Sequence, residues 1–227
     1  MPTTTTLDGR AREAVGSACE HVRDAGEADH VDGVSVALVA SPTSTAEVSE
    51  VMRAADAHDL TVVPTGRRTK LTWGRPPASA DLLLDLSGLD QVLEHAAGDL
   101  IVVTQAGTSL SHLQEVVAEE GQQLAVDETV PGSSVGGTLA AATSGPGRVE
   151  AGTMRDLLIG LTVVRADGVV AKAGGRVVED CQDVLAVVAV EKGRRSSLRC
   201  GYQEDLGGAL LAAALQPLGK LDYKVVA

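Results

Sequence analysis

The residues whose types and spacing suggest chemistry lie in two loops. Pro131 to Pro146 reads PGSSVGGTLAAATSGP and sets Gly132, Gly136, Gly137 and Gly145 among Ser133, Ser134, Thr138, Thr143 and Ser144. Glycines let a ligand approach the backbone without a Cβ in the way. The small apolar run Gly137 to Ala142 predicts one or two helical turns whose free N–H groups face back toward the glycines, an arrangement that suits an anion. Taken alone, the stretch reads equally well as an ordinary loop. The second stretch, Pro64 to Pro77, reads PTGRRTKLTWGRPP and combines a turn at Gly66 with the tight basic cluster Arg67, Arg68 and Lys70. It follows a predicted strand, and in open α/β sheets ligands gather beyond the carboxyl ends of strands. The plainer reading is a solvated turn that softens an acidic surface.

The elements that must position these loops follow from periodicity. Asp8 to Arg23 is expected to be helical, with Asp8 as its cap. Val34 to Val39 is an apolar run that reads as a buried strand. In the next segment Ser44 and Glu47 form a capping-box pattern before Val48, Val51, Met52 and Ala55, which recur at helical spacing over Thr45 to His58. Leu60 to Val63 is a second strand, so the segment predicts a β-α-β unit with parallel strands. Leu82 to Leu86 and Asp99 to Ala106 are further strands. Ser109 to Glu120 is a helix ended by Gly121, and Leu124 to Val126 is another short strand. Leu157 to Arg165 and Val169 to Lys172 flank Asp167-Gly168, a strong hairpin signal. Beyond Val177 the pattern weakens to a strand at Val184 to Val190, a polar loop at Gly193 to Arg199 and a small-residue helix at Glu204 to Leu215.

A chain of 227 residues accommodates one large domain or two small lobes sharing a cleft. Apolar residues make up 44% and charged residues 22%, so a packed core is within reach of the composition. Phe is absent and the aromatics are Trp73, Tyr202 and Tyr223, which leaves the core to Val, Leu and Ala. The net charge of −12 argues against a nucleic-acid partner. Cys19, Cys181 and Cys200 show no C-x-x-C spacing, so neither a zinc site nor a disulfide framework is expected, and a cytoplasmic location fits. No window approaches the ~18 uninterrupted apolar residues of a membrane span. Walker-type, H-E-x-x-H and G-x-G-x-x-G motifs are absent, and the five histidines are scattered.

The ordered series of the Pro64 loop, DLIVVTQAGTSLSHLQ, PGSSVGGTLAAATSGP and GTMRDLLIGLTVVRADG resembles the FAD-binding domain of the FAD-linked oxidases of the vanillyl-alcohol-oxidase or p-cresol-methylhydroxylase type. TKLTWG and SGPGRVEAGTMRDLLIG are most similar to the FAD-binding subunit of bacterial glycolate oxidase. The resemblance implies an α+β, PCMH-type domain with two lobes, a small β-α-β lobe and a larger antiparallel-sheet lobe, with FAD between them. It divides the chain into an N-terminal helix or arm (1–32), the FAD-binding domain (33–178, with lobes of about 33–95 and 96–178) and a divergent tail without a cap domain (179–227). It further implies that Pro64, Thr65, Gly66, Arg67, Arg68, Thr69, Lys70 and Leu71 wrap the pyrophosphate. Pro131, Gly132, Ser133, Val135, Gly136 and Gly137 would hold the adenine and phosphate side. Ala141, Ser144, Gly145 and Thr153 would approach the flavin or the ribityl chain.

Two departures from the family pattern stand out. Arg67 and Arg68 stand where the family loop carries glycines; positive φ is costly for Arg, although a guanidinium could pair with phosphate directly. No His lies in that loop, so the implied FAD is non-covalent. After Val178 the family's Lys-Asn-Val-Ala-Gly-Tyr-Asp-Leu type segment is replaced by Glu179, Asp180, Cys181, Gln182 and Asp183. A divergent member, a truncated one or a reading frame lost before Glu179 would each give this.

The resemblance implies an FAD-dependent oxidoreductase domain or subunit that oxidises a 2-hydroxy acid such as glycolate or lactate. Partner flavin and iron–sulfur subunits would complete the complex. Family members draw the base and the carboxylate-binding Arg from the cap, so no catalytic residue is assigned, and Arg155 beside Asp156 reads as a structural pair. A non-catalytic FAD-binding or assembly subunit, or a fold remnant without flavin, are the alternatives.

Overall fold

The computed structural model describes residues 7–174 together with the strand Leu185–Glu191. The expected loop at Gly193 to Arg199 and helix at Glu204 to Leu215 lie outside these residues. In chain order the first half comprises α1 (Gly9–Ala18), β1 (Val22–Asp24), β2 (His30–Val31), β3 (Val34–Ser35), β4 (Leu38–Ala40), α2 (Thr45–Ala57), β5 (Val62–Thr65) and β6 (Leu82–Asp85). The second half comprises β7 (Val92–Ala96), β8 (Ile101–Thr104), α3 (Leu110–Ala118), β9 (Gln122–Leu124), α4 (Val135–Ala140), α5 (Arg148–Ala151), α6 (Met154–Leu157), β10 (Leu158–Val164), β11 (Val170–Gly174) and β12 (Leu185–Glu191).

The fold is α+β, with one sheet built on a β-α-β unit and a second that is antiparallel. The first sheet has the order β1-β4-β6-β5. Strands β4 and β5 are parallel, as expected, but they do not touch: β6 lies between them and pairs in parallel with both. Its side chains cover both faces, as a parallel strand requires. Leu82 and Leu84 pack with Val48, Val51 and Ala55 of α2 and with Val15 of α1. Leu83 points to the opposite face, with Val31, Val39, Val63 and Leu71. Helix α2 begins as its capping residues predict: Ser44 Oγ accepts from the Glu47 N–H at 3.2 Å. The Glu47 carboxylate reaches back to the Thr43 N–H and hydroxyl, which hold its pKa below the usual range.

The expected first helix ends earlier than its pattern, at Ala18. Val22–Asp24 instead pairs antiparallel with β4, because an extended edge strand satisfies the sheet's backbone groups there. The expected strand Val34 to Val39 divides in two: β3 makes a hairpin with β2, and β4 enters the sheet. The second sheet runs β11-β10-β12-β8-β7, with β9 on β12, and every pairing is antiparallel. The Asp167-Gly168 hairpin forms as its sequence indicates, with Gly168 at φ +77°. Helix α3 ends at Ala118, two residues before the expected Glu120, and Gly121 follows in the left-handed region at φ +70°. Strand β7, spanning residue 95, belongs to the second sheet. Its core gathers Val102, Leu110, Leu113, Val117, Val135, Met154 and Leu157.

Candidate functional site

Pro64 and Thr65 end β5, and the loop 66–71 leaves the sheet at that carboxyl end. Residues 131–134 lead into α4, whose first turn is Val135, Gly136 and Gly137. The two loops, more than sixty residues apart in the chain, meet at two places. A Cβ on Gly66 would overlap Ser134 Oγ, so the glycine is what allows the backbone of the first loop to reach the second. Beside this contact Lys70 Nζ donates to Ser133 Oγ at 2.8 Å, and Thr69 Oγ1 lies 3.4 Å from the same oxygen.

Lys70 is only 1% exposed. Burial pushes its ammonium below the ordinary lysine range, opposed by the through-space field of Glu128. Among the described residues no carboxylate pairs with it; its hydrogen-bond partners are hydroxyls, Ser133 at 2.8 Å and Thr69 at 3.5 Å. The Ser133 hydroxyl gives its own hydrogen to Val130 O at 2.6 Å and therefore meets Lys70 as an acceptor.

The helix start departs from expectation. Its N–H groups are not free: Val135 donates to Thr108 O and Gly136 to Ala106 O, both at 2.8 Å, and Gly137 donates to the capping Ser134 Oγ at 3.1 Å. Earlier in the loop, Gly132 donates to Glu128 Oε1 and Ser133 to Val130 O. An expectation based on small residues alone does not register that a short helix docked on a neighbouring loop lends its first donors to that loop. The N–H groups of Gly66, Arg67, Arg68 and Thr69, by contrast, find no acceptor among the described residues.

Arg68 also departs from expectation. It does take positive φ, +58°, but its guanidinium is held by Asp29 and Asp85 at 2.9 Å each. It braces the loop against the first sheet and is not directed to an anion in the loop. Asp29 is shared with Arg23 and accepts from the Gly26 N–H; the Arg23 hydrogen bond, more than any other contact, holds its carboxyl well below the usual carboxylate range.

Several expected site residues have structural duties. Val135 and Leu71 are core residues. Gly136 is small because Ala106 lies against it: an added Cβ would stand 2.8 Å from the Ala106 Cβ. Gly145 packs on Asp127, whose carboxylate also accepts from the Gly147 N–H at 2.6 Å. Consecutive acids, Asp127 and Glu128, thus hold the two ends of the glycine stretch. Ala141 ends α4, and Thr153 begins α6 with its N–H and hydroxyl both on Asp156 Oδ2 at 2.7 Å. Among the described residues no hydrogen bond joins Ala141, Ser144, Gly145 or Thr153 to the loop 64–71. A cleft of about 770 Å³ takes in Arg67 but no other expected site residue; strand β7, the α3 N-cap Ser109 and the α3 residues His112 and Val116 contribute to its lining.

Sequence reasoning passed over Ser134, although its place three residues before Gly137 is an N-cap signal. Thr65, one of the residues the resemblance implies, and Thr138 and Thr143 of the glycine stretch are buried. Thr65 Oγ1, Thr138 Oγ1 and Thr143 Oγ1 are the buried side-chain polar atoms without a partner among the described residues, and all three sit in or next to the two loops. Unpaired buried donors are costly and uncommon in a native fold, and a polar ligand is one way to satisfy them. Among the described residues no group of acidic, His or Cys side chains could hold a metal ion.

Residues 36–174 match the family model described as FAD binding domain. The chain is 36% identical over 131 residues to a D-2-hydroxyglutarate dehydrogenase of Xanthomonas citri pv. viticola, covering 57% of this chain and 28% of that protein. It is 29% identical over 143 residues to the glycolate oxidase subunit GlcD of Bacillus subtilis, covering 63% of this chain and 30% of that protein. The chain therefore spans less than a third of the length of these relatives. An alkyldihydroxyacetonephosphate synthase structure shares the fold, with a TM-score of 0.66 and 15% identity over 84% of this chain and 41% of the other. A berberine bridge enzyme variant does so at 0.62 and 14%, over 73% of this chain and 37% of the other.

Proposed function

Because the chain belongs to the FAD binding domain family, the FAD-linked oxidase type to which its motifs point, we propose that it is the cofactor-binding part of a flavoprotein that oxidises a small 2-hydroxy acid. The observation that carries the reading is the meeting of the two loops, where Gly66 packs against Ser134 and the buried Lys70 ammonium donates to Ser133, in segments that also hold unpaired buried hydroxyls. These residues fit FAD: a pyrophosphate is rich in acceptors, and the site offers donors that lack them. Bound FAD supplies the hydride acceptor. Lys70, Thr65 and the loop 66–69 hold its phosphates in this reading, and Ser133, Thr138 and Thr143 face it from the second loop. Gly66 keeps the loops in register, and Ser144, Gly145 and Thr153 lie toward the flavin.

The small lobe and the larger lobe flank the cofactor in this proposal. The lobes of this proposal span about 33–95 and 96–178, and the presence of two separate sheets, β1-β4-β6-β5 and β11-β10-β12-β8-β7, supports a two-lobe division. FAD is held without a covalent bond, since loop 64–71 contains no histidine. Partner flavin and iron–sulfur subunits and a cytoplasmic setting complete the proposal. Among the described residues no helix is long and apolar enough to cross a membrane.

The test is a visible absorption spectrum of the purified chain after incubation with FAD and desalting. Retained flavin bands are expected. Loss of all flavin from a folded chain refutes the reading. Turnover of glycolate, D-lactate or D-2-hydroxyglutarate with an artificial acceptor then separates a catalytic unit from a binding one.

A further inference from the structure

The cleft of about 770 Å³ beside β7 lies outside the contacts between the two glycine loops, and its size is that of a small-molecule site. One wall is β7, an edge strand of the second sheet among the described residues; another is the α3 face carrying His112 and Val116, about one helical turn apart. Val92, Leu93 and Val116 give the cleft apolar surface, and Leu93 is left exposed there. Arg67 and Asp90 also line it, and among the described residues neither side chain has an ion pair or hydrogen bond. A guanidinium and a carboxylate thus border one cleft without neutralising each other. A third polar side chain in the lining, His95, is set by its neighbours. Its Nε2 lies 3.0 Å from Oε1 of the buried Gln122, whose Nε2 donates to Ala97 O at 2.7 Å. A backbone carbonyl only accepts, so it keeps the amide nitrogen on Ala97 and turns the amide oxygen to His95. His95 is therefore the donor at Nε2, and the neutral ring carries its lone pair at Nδ1, which no described residue takes.

We propose that this cleft binds an apolar 2-amino acid, with its carboxylate on Arg67, its ammonium on Asp90 and His95 Nδ1, and its side chain on Val92, Leu93 and Val116. A zwitterion answers both unpaired charges of the lining. A plain carboxylic acid leaves Asp90 unanswered, and an amine leaves Arg67. Arg67 pairs with the carboxylate through its planar fork, which suits a two-oxygen anion. Gln122 is the positioning residue: it holds the His95 ring in the tautomer that accepts from the ammonium. The proposal stands apart from the flavin reading, in which the loop 66–69 meets phosphate through its backbone N–H groups.

The experiment is calorimetry on the purified full chain, with and without FAD. Phenylalanine is the probe, beside 3-phenyllactate (hydroxyl for ammonium), 3-phenylpropionate (no donor) and phenethylamine (no carboxylate). Saturable binding of phenylalanine is expected, weakened about tenfold or more in each analogue. No binding of phenylalanine overturns the site, and 3-phenyllactate bound as tightly as phenylalanine overturns the amino-acid assignment. Val116→Trp fills the cleft and is expected to abolish phenylalanine binding while FAD retention stays that of the natural chain. Unchanged phenylalanine binding by this variant, folded by circular dichroism, puts the ligand elsewhere and overturns the proposal. Failure of the flavin reading shows separately, as a chain that binds phenylalanine and retains no FAD. Nitrogen-15 spectra of the imidazoles at about pH 8, where an ordinary ring is neutral, test the positioning. His95 is expected to be protonated at Nε2 in the natural chain and to gain the Nδ1–H form in Gln122→Leu; a natural His95 protonated at Nδ1, or a tautomer unmoved by Gln122→Leu, overturns the role given to this pair.

Discussion

Ser49 Oγ donates a 2.6 Å hydrogen bond to the carbonyl of Gly168, joining residues 119 apart in the chain. Ser49 is a buried residue of α2, on the first sheet, and Gly168 is the turn between β10 and β11 of the second. Arg53 completes the contact, donating to Ser49 Oγ at 2.8 Å. This clamp fixes how the β-α-β unit sits against the antiparallel sheet.

Gly168→Ala is expected to loosen that clamp. The residue has φ +77°, and an added Cβ would overlap the Arg53 side chain and stand 2.6 Å from Ser49 O. Left-handed strain together with overpacking points to a loss of about 2 kcal/mol or more. Urea unfolding measures it; an unchanged midpoint would show that the two sheets do not depend on this turn.

Gly66 and Ser134 are expected to be energetically coupled. Gly66→Ala alone forces its Cβ onto Ser134 Oγ and should cost about 1–2 kcal/mol. Ser134→Ala alone removes the cap on the Gly137 N–H, at about 1 kcal/mol. With the hydroxyl gone the nearest remaining atom is the Ser134 Cβ at 3.3 Å, so the double variant should be more stable than the two single losses added together. Simple additivity in a double-mutant cycle would refute the contact.

Replacing Arg68 by Gly sets two effects against each other. The change relieves left-handed backbone at φ +58°, worth about 1 kcal/mol, and removes part-buried ion pairs to Asp29 and Asp85 worth about 1 kcal/mol each. The net expectation is a destabilisation of about 1 kcal/mol. A more stable variant in thermal unfolding would mean that the ion pairs contribute little.

Asp29 should make the fold acid-sensitive. Its folded pKa lies far below the ordinary 3.8, through the Arg23 hydrogen bond first and then the Gly26 N–H and Arg68. A depressed carboxylate pKa contributes stability that is fully present above the unfolded value and is lost as pH falls through the folded one. The gap in stability between the natural chain and Asp29→Asn should therefore be largest near neutral pH and shrink below about pH 4. Urea midpoints at pH 7, 4 and 3 test this; a constant gap contradicts it.

Much of this architecture was legible in the sequence, and each legible feature depends on neighbours along the chain. Helix α2 begins where Ser44 and Glu47 indicate, and the Asp167-Gly168 turn pairs its strands. Gly121 lies just beyond the end of α3. These are local rules of periodicity, capping and turn chemistry, and they need no knowledge of the fold. The short helices α5 and α6 escaped because four residues carry too little periodicity to register.

The ordered motifs were enough to identify the family and to single out the two loops, because glycine, serine and a basic cluster at strand and helix ends restrict what the backbone can approach. Only the tertiary structure decided which donors those loops leave for a ligand. The N–H groups of α4 are taken by Ala106 and Thr108, Arg68 is taken by Asp29 and Asp85, and Lys70 is left buried on Ser133. Hydrogen-bond satisfaction is settled between segments distant in the chain, so it is fixed only when the two sheets come together.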